Sequence, residues 1–518
     1  MLRGISRRTC SRGSWTAPVR CWSRWYSTGE GVPESAVPVN FKDTHSLKKT
    51  VFDYKSILSN LENHKESVRR RKFALEHDLD LFPIAMSLLK KLREQFRELL
   101  VQRAALQKIS KTTFQKRNGN SNQENDNGDK LSTESRSNNL FAQLRDIKSE
   151  CAEIESQIKN LELEIFKISN DLPNLIDPSV GDEQIVDSYI NLPSEDAEFF
   201  SSLPTTQQQE EYLSSKYSSS NLDHKTIGEN FNILDFKTAV KISGTSWYFL
   251  INDGALLEQA LIQYVTKEAR KLNFSFVIPP SIVRSEITNA CGFRPRDQNN
   301  EQQIYELTND NLCLTGTAEI PLASLNMNKI LEKTQLPKKY VGVSRSYRAE
   351  AGARGKDPKG LYRVHEFTKV ELFIYSTQEN SNTELENLKN FQIKLIEKLG
   401  LFSRVLNMPT DDLGAPAYKK YDIEAWMPGR SKWGEITSTS NCTDYQSRRF
   451  NIKYNDIDKN GKKISKFAHT LNGTAVAIPR VILALIENNY DKNNNCIWIP
   501  EPLREYMDGR DRITPFEE

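Results

Sequence analysis

From Leu140 to Leu172 the apolar residues recur in alternating steps of four and three: Leu140, Leu144, Ile147, Cys151, Ile154, Ile158, Leu161, Ile165, Ile168 and Leu172. This two-position heptad seam, with Lys, Glu and Gln around it, predicts a long helix and demands a second helix to cover its stripe. Its reach is roughly 50 Å at the usual helical rise per residue. The stretch from about Leu79 to Ile109 carries a rougher seam at Leu81, Ile84, Leu88, Leu92, Phe96, Leu99 and Leu106, and is the expected partner. Between them, residues 115–130 have no apolar side chain and are rich in Asn, Gly and Asp. They predict a solvated tip, spanning about 112–138, that closes an antiparallel helical hairpin. Two helices of a globular bundle are the alternative, although so narrow a seam buries little.

The helical pattern ends at Asn170-Asp171-Leu172-Pro173, where Pro and then Asp177-Pro178 break it. The hairpin and its flanks define an N-terminal domain over 45–185, followed by a polar Ser/Thr/Gln-rich linker over 186–221. From Leu222 to the end at 518, short β-rich runs alternate with a few helices, with Gly and Pro at the junctions. The expected class is α+β, a helical hairpin joined to a domain built on an antiparallel sheet with flanking helices.

Six arginines (Arg3, Arg7, Arg8, Arg12, Arg20, Arg24) and no acidic residue occupy the first 29 positions. Such acid-free, Arg- and Ser-rich composition is that of a mitochondrial transit peptide, here 1–27. Arg24-Trp25-Tyr26-Ser27 resembles a matrix-protease cleavage site, so the mitochondrial matrix is the expected location. A basic arm for nucleic acid is the alternative. Without those arginines the formal net charge falls from +3 to about −3, so any grip on RNA must come from local basic patches. No run approaches the ~18 apolar residues needed to cross a bilayer, and no membrane association is expected. Of the seven cysteines, five lie beyond the leader with no CxxC spacing, which argues against a disulfide framework or a zinc knuckle.

Lys339 to Glu350 reads as a strand leading into a Gly-rich loop with Gly352, Gly355 and Gly360; a second strand resumes at Leu361. Period-two alternation puts Arg363, His365, Phe367, Lys369 and Glu371 on one face, with Val364, Val370, Leu372 and Ile374 on the other. Arg348 and Glu350 share a face of the outgoing strand. Arginines, an aromatic ring and carboxylates over roughly 13 Å suit a nucleotide joined to a small acyl group, and equally suit a solvated sheet face.

The motifs resolve the choice. Tyr347-Arg348-Ala349-Glu350 resembles motif two of the class II aminoacyl-tRNA synthetases, and Gly360 through Phe367 resembles its continuation in the seryl-tRNA synthetases. The helix from Gly254 to Leu272 is similar to motif one, and Leu471-Asn472-Gly473-Thr474 through Arg480 to motif three. Leu314 through Pro321 resembles the family's serine loop; Gly434 through Cys442 resembles its metal and ATP segment.

The resemblance implies activation of L-serine with ATP and Mg²⁺ and transfer of serine to tRNA(Ser), by a homodimer whose arm grips the tRNA. It implies that Arg348, Glu350 and Arg480 are the catalytic residues. For ATP it implies these three with Ala349, Arg363, Val364, Phe367, Glu435, Ile436, Thr437 and Ser438. It implies that Glu435 and Ser438 are the metal ligands. For serine it implies Thr317, Ala318, Glu319, Arg348, Glu371, Asn472 and Thr474. Arg348, forked and permanently charged, can hold the serine carboxylate and the α-phosphate together. Phe367 and Arg480 resemble a pair that sandwiches adenine, and Glu350 can accept from its amino group. Glu371 would accept from the serine hydroxyl, so alanine should be rejected by ~10⁴ or more.

Other signals carry less. Lys463-Ile464-Ser465-Lys466 mimics a class I loop but has no Rossmann pattern around it. His365 and His469 fit structural hydrogen bonding better than acid/base work. The glycines usual in motif three are partly replaced by Ala475, Ala477 and Pro479, with Arg480 kept. A catalytically dead RNA-binding paralogue would have lost Arg348, Glu350, Glu371, Glu435 or Arg480, and a ligase for carrier proteins would lack the arm. The helix bearing Leu256, Leu257, Ala260, Leu261, Tyr264 and Val265 is the expected dimer interface, with an internal core helix as the alternative.

Overall fold

The computed structural model describes residues 47, 50–119, 127–218, 222–294, 301–308, 310–350 and 360–515, and the side chains of 113–137 are outside this set. The expected transit segment 1–27 also lies outside the described residues. Two long helices, α1 (Leu81–Gly119) and α2 (Asn127–Asp171), pack antiparallel. Arg93 of α1 meets Glu162 of α2 at 2.7 Å. The expected seam of α2 is its more buried stripe, from Leu140 through Cys151 and Ile165 to Leu172.

The seam of α1 starts one residue later than expected. Phe82, Ala85, Leu89, Leu92 and Leu99 are buried, whereas Leu81, Ile84 and Leu88 are exposed. Phe82 is fully covered and packs with Ile57, Leu79, Ile165 and Ile168 at the hairpin base. The inward stripe is the one on which Phe82 and Leu89 meet apolar partners already placed by the hairpin base, so tertiary contacts and not the count of apolar residues choose the face.

The tip also differs, because helix runs through 115–119 and 127–130, where a loop was expected, leaving 120–126 outside the described residues. Gln, Lys, Arg and Glu are good helix formers, and an arm needs only a thin apolar stripe.

Eight strands form the main sheet: β1 (Ile185–Ile190), β2 (Ser275–Val277), β3 (Lys338–Tyr347), β4 (Glu366–Ser376), β5 (Ser403–Asn407), β6 (Lys419–Met427), β7 (Lys432–Asn441) and β8 (His469–Ala477). Their spatial order is β1-β5-β6-β7-β8-β4-β3-β2, antiparallel throughout except for the parallel pair β2 and β3. Helices α3 (Asn252–Lys271), α4 (Ser381–Lys398) and α5 (Ile478–Asn489) cover one face. Val370, Leu372 and Ile374 of β4 point into that layer, as alternation requires. Phe373 and Tyr375 point the other way, into a second cluster with Ile320 and Leu322. The α+β architecture is as expected.

Three expectations change here. The segment 186–221 is not a free linker. β1 closes one edge of the sheet, and the helices Ala197–Ser202 and Thr206–Tyr217 bury Phe200 and Leu213 against Phe402, Trp426 and Trp433. Its Ser/Thr/Gln content masked the few large apolar anchors that hold it down.

On α3, Leu257, Ala260, Leu261, Tyr264 and Val265 are buried in this chain's own core, with Leu256 packed against it, so that face is not available to a second subunit. Gly254 lies so close to the Ile233 carbonyl that a Cβ would stand 2.2 Å from its oxygen, which seats the helix on that turn. Finally, β4 begins at Glu366, so alternation does not govern Arg363 or His365.

Candidate active site

Two β-bulges build the site. Along β6 and β7, Glu424 pairs with Glu435 and Ile423 with Thr437, leaving Ile436 unpaired. In a regular ladder Glu435 and Ser438, three apart, would face opposite ways; the extra residue brings both to one face. On β8, Thr474 pairs with Glu371 and Val476 with Val370, so Ala475 is the extra residue and Thr474 shares a face with Ala477. Phe367, Lys369 and Glu371 of β4 lie on the same face. Opposite them β3 offers only Ser346, Ser344 and Gly342, which leave room. The resulting cleft, about 540 Å³, is lined by Arg348, Glu350, Tyr362, Arg363, Val364, Phe367, Lys369, Glu435, Ser438, Thr474, Ala477, Pro479 and Arg480.

One end of the cleft is dense in charge. The Arg348 guanidinium sits 5.3 Å from the Phe367 ring centre, and its Nε is 3.4 Å from the Gly316 carbonyl. Arg480 lies over Tyr362 at 4.6 Å and donates to the Tyr362 carbonyl at 3.0 Å and to Glu435 Oε2 at 3.2 Å. Arg363 donates to Glu350 Oε2 at 2.7 Å. Burial works against the Glu435 charge, yet Arg480, Lys420 and Arg348 outweigh it and hold its carboxyl down at about 2. Burial likewise lowers Arg348 from its ordinary value, helped by Arg480.

At the other end the groups form a buried chain. Lys369 Nζ is 2.6 Å from Glu371 Oε2 and 3.2 Å from Thr474 Oγ1, which is 3.2 Å from Ser438 Oγ. Thr317 Oγ1 donates to Glu371 Oε2 at 3.4 Å. Glu319 Oε1 accepts from Asn472 Nδ2 at 2.8 Å. Burial, reinforced by Glu371, pushes the Glu319 carboxyl up to about 7, against the pull of Lys369 and Arg348.

Most expected site residues therefore line one cleft or its inner end, but some side chains do not. Ile436 is in the helix-side core and Thr437 is fully buried, so these two can offer only backbone groups. Ala318 packs in the second core cluster. The Ala349 N–H is bonded to the Gln303 carbonyl. His365 turns away from the cleft: its ring stacks on Trp247 and its Nδ1 lies 3.0 Å from Tyr305 Oη and 3.1 Å from the Arg348 carbonyl.

Four contributors received no role from the sequence. Lys369 was placed on the right face, and Tyr362 stood within the motif-two continuation. Gln446 and the buried His224 gave no local signal. His224 Nε2 accepts from the Leu361 N–H at 3.1 Å, so Nδ1 carries the proton that Glu487 Oε1 accepts at 2.7 Å. Glu487 sits on α5 two turns beyond Arg480, so this pair ties Tyr362 and Arg363 to the helix that carries Arg480. Gly360 (φ +70°) has no room for a Cβ, which would stand 1.9 Å from His224 Nε2.

Comparison with known proteins agrees with this geometry. Residues 304–489 match the tRNA synthetase class II core domain (G, H, P, S and T). The chain is 45% identical over 474 residues to the mitochondrial serine–tRNA ligase of Saccharomyces cerevisiae, covering 90% of this chain and 96% of that protein. It is 38% identical to the serine–tRNA ligase of Treponema denticola over 89% of this chain and all of that one. The crystal structure of seryl-tRNA synthetase from Pyrococcus horikoshii complexed with ATP superposes with a TM-score of 0.70 at 31% identity, over 90% of this chain and 100% of that chain. Sequence, fold and cleft converge, and the chain belongs to the serine–tRNA ligases, a class II aminoacyl-tRNA synthetase family.

Proposed function

We propose that this chain condenses L-serine with ATP to seryl-adenylate and then transfers serine to the 3′ end of tRNA(Ser) in mitochondria, within the matrix. The carrying observation is a cleft lined by Arg480, Glu435 and Arg348 at one end and by Lys369 and Thr474 at the other, where Lys369 pairs with the buried Glu371. It places a phosphate-capable cationic end beside a small polar end. A serine carboxylate oxygen attacks the α-phosphorus, and the bond to pyrophosphate breaks. Arg348 lies between the two ends and neutralises both partners of that attack. Phe367, Tyr362 and Arg480 hold the base, with Glu350 and Arg363 at its rim. Thr317, Glu319, Glu371, Asn472 and Thr474 surround serine.

Glu435 and Ser438 fit a hard divalent cation. They are oxygen donors on one face, and the carboxyl is held ionised at neutral pH. Mg²⁺ there would neutralise phosphate charge as pyrophosphate forms. A homodimer is supported by the sheet edge at β2, which is paired on one side only, and by the exposed apolar side chains of Phe276 within it and of Leu272, Ile278 and Ile282 in the flanking segments. Location in mitochondria is supported by the arginine-rich leader and by mitochondrial relatives in Saccharomyces cerevisiae and Schizosaccharomyces pombe.

Serine-dependent exchange of pyrophosphate into ATP tests the reading. Exchange with serine, and its loss in Arg348→Ala, is the expected result. No exchange with any amino acid would overturn it; exchange with alanine but not serine would overturn the role of Glu371.

A further inference from the structure

Gln446, on the helix Tyr445–Phe450, is completely buried and is absent from the roles above. Its Nε2 donates to Glu319 Oε1 at 2.7 Å, the oxygen that also accepts from Asn472 at 2.8 Å. The far side of the amide is held by Thr470, whose Oγ1 donates to Gln446 Oε1 at 2.8 Å. Nε2 also lies 3.2 Å from Cys291 Sγ and 3.4 Å from the Cys291 carbonyl. The amide orientation follows, because a carboxylate accepts and so must face the nitrogen. Glu319 Oε2 has no hydrogen-bond partner among the described residues.

We propose that Gln446 is a positioning residue that keeps Glu319 ionised and aimed, so that the free oxygen Oε2 receives the ammonium group of the amino-acid substrate. The inference rests on the reading that Glu319 borders serine. Two neutral amides on one oxygen stabilise the anion but leave its charge uncompensated. A Lys or Arg in place of Gln446 would cancel that charge and compete with the substrate's ammonium. Glu319 needs the help: burial and the neighbouring Glu371 both favour its neutral form, while Lys369 and Arg348 are the cations that oppose them. The other titratable groups near it, the Cys291 and Cys442 thiols, are pushed up by burial and stay neutral. Selectivity for a substrate with a free α-ammonium thus depends on a residue that never touches it.

The test is serine-dependent pyrophosphate exchange by the full chain carrying Gln446→Leu or Gln446→Glu, beside Glu319→Gln, with thermal unfolding of each. In Gln446→Leu the KM for serine should rise tenfold to a hundredfold, as expected for loss of a hydrogen bond to a buried charge, to order of magnitude. Gln446→Glu should raise it further, because a like charge replaces the donor. KM for ATP should stay within about twofold, since Gln446 meets only the amino-acid end. The acid limb of kcat/KM for serine should move to higher pH in both. An unchanged serine KM in the folded variants overturns the proposal, as does a joint rise of serine and ATP KM with an unmoved acid limb. If Gln446→Leu fails to fold, the similar-sized Gln446→Glu decides through the same pH limb. Normal serine KM in Glu319→Gln would instead sink the placement of serine beside Glu319. Loss of serine binding there, with none in the Gln446 variants, removes only the present inference.

Discussion

Lys369 and Glu371 form an ion pair of 2.6 Å with both side chains almost wholly buried. Removing one partner leaves the other charge uncompensated, a cost of about 3–5 kcal/mol in such settings. That cost falls on stability, so Lys369→Met should lower the melting temperature. It also leaves Glu371 without the partner that positions it, so kcat/KM for serine in the exchange assay should fall by about 10², as for other misplacements at a reacting site. Adding Glu371→Gln should restore thermal stability without restoring serine activation.

Glu319 makes a pH prediction of definite sign. Its carboxyl must be ionised to hold an ammonium group and titrates at about 7 in the folded chain, so kcat/KM for serine should fall as pH drops below about 7. Its folded value lies above the unfolded one, so the stability it contributes is present below the unfolded value and lost as pH rises through the folded value. Glu319→Gln should accordingly melt higher than the parent at pH 8, with the gap narrowing toward pH 4–5. Equal melting at pH 8 would contradict the buried, charged Glu319.

At the scale of elements, the bulges matter more than strand propensity. Deleting Ile436 removes the bulge and leaves Glu435 and Ser438 two apart on the same face of a regular ladder, so what is lost is the local twist that aims them. ATP-dependent exchange should then fall about 10²-fold, the order expected when charged groups are misplaced by ~1 Å. A folded deletion variant with normal exchange would show that the bulge is dispensable. The buried His224–Glu487 pair is a second such device. His224→Phe keeps the bulk but orphans the Leu361 N–H and removes the imidazole donor from Glu487, whose carboxylate keeps the Gly429 N–H. KM for ATP should rise about tenfold, in line with an unpaired buried polar group; an unchanged KM would mean that Tyr362 and Arg363 are held without it. Neither device was legible in the sequence. A bulge is a property of two strands in register, and His224 lies 137 residues from the backbone group it accepts from.

At the scale of the molecule, chemistry and RNA recognition should separate. Deleting residues 118–136 from the end of the hairpin should leave pyrophosphate exchange unchanged and impair only tRNA charging, measured as seryl-tRNA formed. Loss of exchange would mean that the arm supports the cleft. The base of the arm does meet the catalytic half: Arg294 pairs with Asp171 at 2.6 Å, and Arg449 donates to the Asn170 carbonyl at 3.0 Å. A cation at the C-terminal end of α2 also complements the helix dipole. The proposed dimer is testable beside the edge strand β2: Ile278→Asp, one residue beyond it at a side chain 78 % exposed, should shift sedimentation toward the monomer if the parent sediments as the proposed dimer.

The sequence by itself determined what depends on local pattern. The α2 seam follows from helical period, the facing of Phe367, Lys369 and Glu371 on β4 from alternation, and the family from residue types at fixed spacing. Tertiary structure decided what depends on contacts distant in the chain. It selected the Phe82 stripe of α1 over the Leu81 stripe and drew 186–218 onto the sheet through Phe200 and Leu213. It turned the α3 face inward as core. It also joined Glu319, Asn472 and Gln446, 153 and 127 residues apart from the first. Periodicity reports which face of an element is apolar; which neighbour covers that face, and which polar groups meet there, is settled by packing area and by the need to pair every buried charge.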